Sequence, residues 1–161
     1  MMDQPDFTDL FNTYFASTSR PICYEVRRDA NRGHDLVFLS SLVHDARFPR
    51  DAVSLDGQTL TIPMDRDRWE DFREKNALWS VAATLTIGGV VSHEWRLTGD
   101  GPPSADDAEF CLRDLYIGER EFRADDDATP TFPLILTGCF EWELAIELDK
   151  RTWSIRLADA E

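Results

Sequence analysis

Cysteine is scarce in this chain: Cys23, Cys111 and Cys139 are the only three in 161 residues, and no two form a Cys-x-x-Cys pair. A disulfide framework or a zinc centre needs clustered ligands, so the sequence predicts reduced thiols buried in apolar runs and no metal site. No uninterrupted apolar stretch approaches the roughly 20 residues of a membrane-spanning helix. The start, Met1-Met2-Asp3-Gln4-Pro5-Asp6, lacks the basic residues and apolar centre of a secretory signal. A cytoplasmic location is the expectation. Basic residues are also few: 17 Lys plus Arg stand against 31 Asp plus Glu, for a formal charge of −14. Binding a phosphate backbone requires an excess of Lys and Arg, so nucleic acid is a poor partner for this composition. A phosphate loop, a G-x-S-x-G elbow and an H-E-x-x-H helix are all missing, and no cofactor is implied.

What the chain does have is apolar and aromatic material: 42% hydrophobic residues, including ten Phe and five Trp. That suffices for one core, and the length is too short for two ordinary domains, so residues 1–161 are expected to form a single β-rich unit. Phe7, Leu10, Phe11, Tyr14 and Phe15 recur at helical spacing, which predicts an amphipathic helix over about residues 6–17, capped by Asp3 or Asp6. The stripe is expected to pack on the chain's own sheet, with a homodimer through the same residues as an alternative.

From about residue 21 the period changes toward two. Ile22, Tyr24 and Val26 alternate as a strand, and the polar stretch 29–34, containing Gly33 and His34, reads as a turn. The nearly continuous apolar run 36–43 fits a strand buried on both faces better than a short helix, given its valines and adjoining turn signals. Residues 53–62 read as a hairpin around Asp56-Gly57, with Val53 facing Leu60. The mostly charged stretch 65–76 carries Trp69 and Phe72 three apart, which suggests a short helix packed by those two rings. Residues 79–97 predict a hairpin with the three-residue loop 88–90, which sets Ile87 opposite Val91 and Leu85 opposite His93. Residues 140–157 predict another, pairing Leu148 with Trp153 and Ile146 with Ile155, and leaving Arg156 near Glu143 and Glu147. Residues 110–117 and 134–136 complete roughly eight to ten short strands. The expected architecture is mainly β: an antiparallel sandwich or partly open barrel with an N-terminal amphipathic helix.

Charge is concentrated in residues 100–127, which hold ten carboxylates and three arginines, a net −7. Its sharpest clusters, Asp106-Asp107 and Asp125-Asp126-Asp127, flank the strand at 110–117 and read as exposed loops. They suit solubility, or an acidic docking surface that draws in a basic protein partner. A calcium loop would need spaced oxygen ligands, a pattern neither cluster has.

Catalytic candidates are sparse. His44 precedes Asp45 and His93 precedes Glu94, each resembling a base beside an orienting carboxylate. Neighbours on a strand point to opposite faces, so neither pair can cooperate unless the backbone bends. His93 falls on an apolar stripe, whereas His44 ends an apolar run and can stand at a sheet rim. A nucleophile at Ser40-Ser41 and a carboxylate pair at Glu141 and Glu143 are weaker readings. The sequence therefore favours a non-catalytic macromolecule-binding protein, of inhibitor or immunity type, over a small-molecule or metal-dependent enzyme with a site at a sheet rim near His44 and Asp45.

Overall fold

A computed structural model describes residues 21–26, 32–68, 80–97, 109–118, 129–139 and 142–161, with side chains from residue 35 onward in the second of these segments. The expected helix at 6–17, the pair Asp106 and Asp107, the triplet Asp125, Asp126 and Asp127, and Glu141 lie outside the described residues; of the stretch 65–76 read as a short helix, residues 65–67 are strand and Trp69 and Phe72 lie outside the described residues.

The described chain is mainly antiparallel β, as its alternation predicts. In order, the elements are β1 (Cys23–Val26), α1 (Arg32–Val43), β2 (Arg47–Pro49), a 3-10 turn (Arg50–Ala52), β3 (Ser54–Asp56) and β4 (Thr59–Asp67). They continue with β5 (Ser80–Gly88), β6 (Val90–Leu97), β7 (Glu109–Ile117), β8 (Thr131–Gly138), β9 (Trp142–Asp149) and β10 (Ser154–Asp159). Ten strands join one sheet in the order β1-β10-β5-β4-β2-β7-β8-β9-β6, with β3 hydrogen-bonded to β4. Its end strands β1 and β6 do not pair with each other, so the sheet stays open. Buried residues from both halves form one core cluster. Alternation decides which residues enter it: Leu60, Ile62 and Met64 of β4, Leu85 and Ile87 of β5, and Leu144, Ile146 and Leu148 of β9 are all buried.

Two predicted hairpins are corners instead. β5 pairs with β4 and β10, not with β6, and β9 pairs with β8 and β6, not with β10. Alternation specifies a buried face but not the neighbour on either side, and several strands here carry the same apolar parity. Gly89 settles the matter at the first corner. Its φ is +74°, and a Cβ there would lie 2.7 Å from the backbone N and Cα of Trp153. With that backbone pressed against it, β6 leaves for the other half of the sheet, as strands do at the corners of orthogonally packed sheets. The second corner is tied to the first, because the Asp149 N–H donates to the Gly89 carbonyl at 2.8 Å. Asp149 also shapes the turn that follows: its carboxylate accepts from Arg151 N–H at 2.7 Å and its carbonyl from Trp153 N–H at 3.0 Å. Arg156 consequently stands beside Cys23, and Arg96 takes the predicted ionic role, reaching Glu143 at 3.0 Å and Glu94 at 3.1 Å.

The predicted hairpin at 53–62 forms with its loop moved by one residue and its register therefore by two. Leu55 faces Leu60, the loop is Gly57-Gln58, and only Gly57 has positive φ, at +59°. A turn of type II′ needs positive φ at its first loop residue alone, so glycine takes that position and Asp56 stays in the strand.

The run 36–43 is not a strand but most of helix α1, which begins at Arg32 within the predicted turn. Leu36, Phe38, Leu39, Leu42 and Val43 are buried, while Val37 is 59% exposed. These buried positions span so wide an arc that their period is hard to see in sequence. The helix is held by tertiary partners. Tyr24 meets Phe38 edge to face, with ring centroids 4.9 Å apart, and its hydroxyl donates to Asp35 at 2.7 Å. Both serines are also bonded: Ser41 donates to the Phe38 carbonyl and Ser40 accepts from Leu115 N–H. Among the described residues no helix is long and apolar enough to cross a membrane.

Candidate functional site

The end of α1 collects the residues that carry chemistry on the outer side of the sheet. Asp45 has φ +62°, a left-handed conformation that ends the helix and turns the chain into β2. Its N–H donates to the Leu112 carbonyl at 2.8 Å, and Leu112 N–H returns a bond to the Ala46 carbonyl at 2.7 Å. This bend satisfies the condition set by the sequence, and it brings His44 and Asp45 to one side, with His44 Nε2 3.8 Å from Asp45 Oδ2. His44 Nδ1–H donates to the Arg113 carbonyl at 2.8 Å, which fixes the ring.

Cys111 completes the cluster. On β7 it lies between buried Phe110 and Leu112, so its side chain points outward toward Asp45, and its thiol donates to Oδ1 at 3.8 Å. Cys139 approaches from the end of β8 and donates its N–H to the Cys111 carbonyl at 3.2 Å. Burial first, then the adjacent Cys139 thiol and the Asp45 carboxylate, push the Cys111 thiol up to about 12. A nucleophilic cysteine needs the opposite shift. All three cysteines are free; Cys111 and Cys139 are half-buried, but Cys23 is exposed on the outer side of β1, contrary to the expectation of buried thiols.

His93 occupies edge strand β6 opposite Ile146 and is exposed, because no strand is hydrogen-bonded beyond β6 among the described residues. Glu143 is bonded to Arg96.

A second polar cluster lies deeper. On β4 the inward parity that buries Leu60, Ile62 and Met64 continues to Arg66, and beyond the strand to Arg68; both are buried. On β10 the parity of Ile155 and Leu157 continues to Asp159 in the same way. Arg66 grips Asp159 with Nε at 2.7 Å and Nη2 at 2.9 Å, a bidentate pair with side chains 0% and 2% exposed. Asp159 also accepts from Ile22 N–H at 3.0 Å and has Arg68 Nη1 at 3.8 Å. Beside them Asp67 contacts Arg47 and Ser80 at 3.4 Å each. The sequence offered a signal for this cluster: three charged residues stand at apolar-parity positions, where only paired charges can be buried. Its chemistry is structural, since each named carboxylate oxygen already faces a donor.

An aromatic group made of Phe48, Trp95, Phe110 and Trp142 fills the core near β7. Trp142 stacks on Phe110 with centroids 5.2 Å apart, and the Arg50 guanidinium lies 5.1 Å over Trp95. Trp142 packs directly against Gly138, where a Cβ would overlap its indole.

Comparison of the chain with known protein families, with curated proteins and with solved structures finds no match.

Proposed function

We propose that this protein acts by binding a basic macromolecular partner through the acidic stretch around β7. The observation that carries the reading is the net −7 of residues 100–127, half of the formal charge of −14. β7 is a single strand, Glu109–Ile117, so the segments bearing Asp106-Asp107 and Asp125-Asp126-Asp127 attach at its opposite ends. Eight strand steps separate those attachment points by roughly 26 Å. That exceeds the screening length of about 8 Å at physiological salt. A partner that reads both segments would present a basic surface long enough to span these attachment points.

A catalytic reading of His44 and Asp45 has less support. His44 commits Nδ1 to a backbone carbonyl, Asp45 terminates a helix, and the adjacent thiol is held protonated. The cluster lacks an activated nucleophile.

The test is the triple charge reversal Asp125→Lys, Asp126→Lys and Asp127→Lys. The partner is first trapped in cells by carboxylate-to-lysine cross-linking, and association is then followed in stopped flow over a salt series. The expected result is cross-links within residues 100–127 and an on-rate lowered at least ~10-fold at low salt, with a flatter salt dependence. Unchanged on-rate and salt slope would refute the reading.

A further inference from the structure

We propose that Cys111 and Cys139 form a cross-strand dithiol that closes to a disulfide on exposure to peroxide or to a small-molecule disulfide. The backbone geometry carries this inference. β7 and β8 are antiparallel with Leu112 opposite Gly138, and one step further along the register sets Cys111 beside Cys139. The bond from Cys139 N–H to the Cys111 carbonyl marks a hydrogen-bonded position of the ladder. Residues opposite each other at such a position have Cα atoms about 5.5 Å apart and side chains on the same face. A disulfide needs Cα atoms at about 5.5–6 Å, which this position supplies, and Cβ atoms at about 3.5–4.5 Å, so the bond forms once Cys139, just past the end of β8, draws in by roughly 1 Å. Both cysteines are free and half-buried, whereas Cys23 stands on β1 on the far side of the sheet order.

With hydrogen peroxide the chemistry has two steps. One of the two thiolates attacks a peroxide oxygen, the O–O bond breaks, and that cysteine becomes a sulfenic acid with release of one water. The other sulfur then displaces the second water and loses its proton as the S–S bond forms. Two thiols and one peroxide thus give one disulfide and two waters. With glutathione disulfide, two glutathione thiols leave in place of the waters.

The closed form ties β7 to β8 and turns the intervening chain, with Asp125, Asp126 and Asp127, into a covalent loop of roughly 30 residues. The inference does not depend on the docking reading, because it concerns only the state of two thiols.

The experiment uses the full chain with Cys23→Ser, treated with hydrogen peroxide or glutathione disulfide. The expected product is a monomer that has lost two hydrogens, yields a proteolytic fragment linking Cys111 to Cys139, and melts roughly 5–10 °C higher than the reduced form. Dithiothreitol should reverse all three changes. Cys139→Ser in the same background should show no rise in melting temperature. A stable glutathione adduct, a sulfinic acid, an intermolecular dimer or a lowered melting temperature in the Cys23→Ser protein would each overturn the proposal. That protein retains both reacting thiols and loses only an exposed one, so the test does not depend on Cys139→Ser folding.

Discussion

Asp159→Asn is the substitution that probes this fold most sharply. It preserves shape and removes one charge, at a side chain 2% exposed that faces a guanidinium 0% exposed. Asparagine can still accept one hydrogen bond, but its NH2 group turns a donor toward Arg66 or Arg68. Breaking a buried pair from one side costs about 3–5 kcal/mol, because a charge is left without its counter-charge in a site away from water. Native stabilities are only about 5–15 kcal/mol, so the loss is a large share of the whole. In urea, with a slope near 2 kcal/mol/M, the midpoint should fall by roughly 1.5–2.5 M without a change in slope. The melting temperature should drop by roughly 6–20 °C. The geometry also predicts a ranking. Arg66→Met leaves Asp159 with Arg68 at 3.8 Å and Ile22 N–H at 3.0 Å, so it should cost less than Asp159→Asn, which removes the Asp159 charge from both arginines at once. Equilibrium unfolding followed by tryptophan fluorescence gives both values. A loss below about 1 kcal/mol for Asp159→Asn, or the reverse ranking, would refute the argument.

Two further predictions concern the end of α1. Asp45→Gly should stabilise the protein by up to ~1 kcal/mol in urea unfolding, since glycine accepts the observed φ of +62° without strain; a loss of that size would mean that the carboxylate's contacts with Cys111 and His44 outweigh the strain. The second follows from the Cys111 thiol, raised from 9.0 to about 12. Below pH 9 the thiol is protonated in both states and its contribution is intact. Between pH 9 and about 12 only the unfolded chain releases this proton, so stability falls through that window. Cys111→Ser should unfold with a shallower alkaline dependence, measured by urea midpoints from pH 8 to pH 11, and an identical slope would contradict the assignment.

Strand parity was legible in the sequence because a one-residue slip moves a whole apolar set into water. The alternation in β5, β9 and β10 therefore identified both the β character and the buried face. Strand partners were not legible. Gly88-Gly89 has the composition of a hairpin loop, and only the Trp153 backbone, 64 positions from Gly89, turns it into a corner. The helix 32–43 was missed because five buried residues on a short segment blur its period, and because the contacts of Tyr24 and Leu115 that hold it are distant in sequence. His44 and Asp45 were legible as a pair that needed a bend, and the bend is there. The partnership of Cys111 and Cys139 was hidden by their spacing and follows only from the pairing of β7 with β8. Arg66, Arg68 and Asp159 were readable in principle as charges in phase with the apolar stripe.

The pairing of Arg66 with Asp159 has a consequence for biosynthesis. The ribosome makes Arg66 well before its partner, which arrives 93 positions later, and the Ile22 amide waits 137 positions for the same carboxylate. Until then β1 and β5 both lack β10, the strand that joins them, and two inward-facing cations have no counter-charge from Asp159. The nascent chain therefore cannot complete its sheet stepwise during translation, and closure is a late event that follows synthesis of β10.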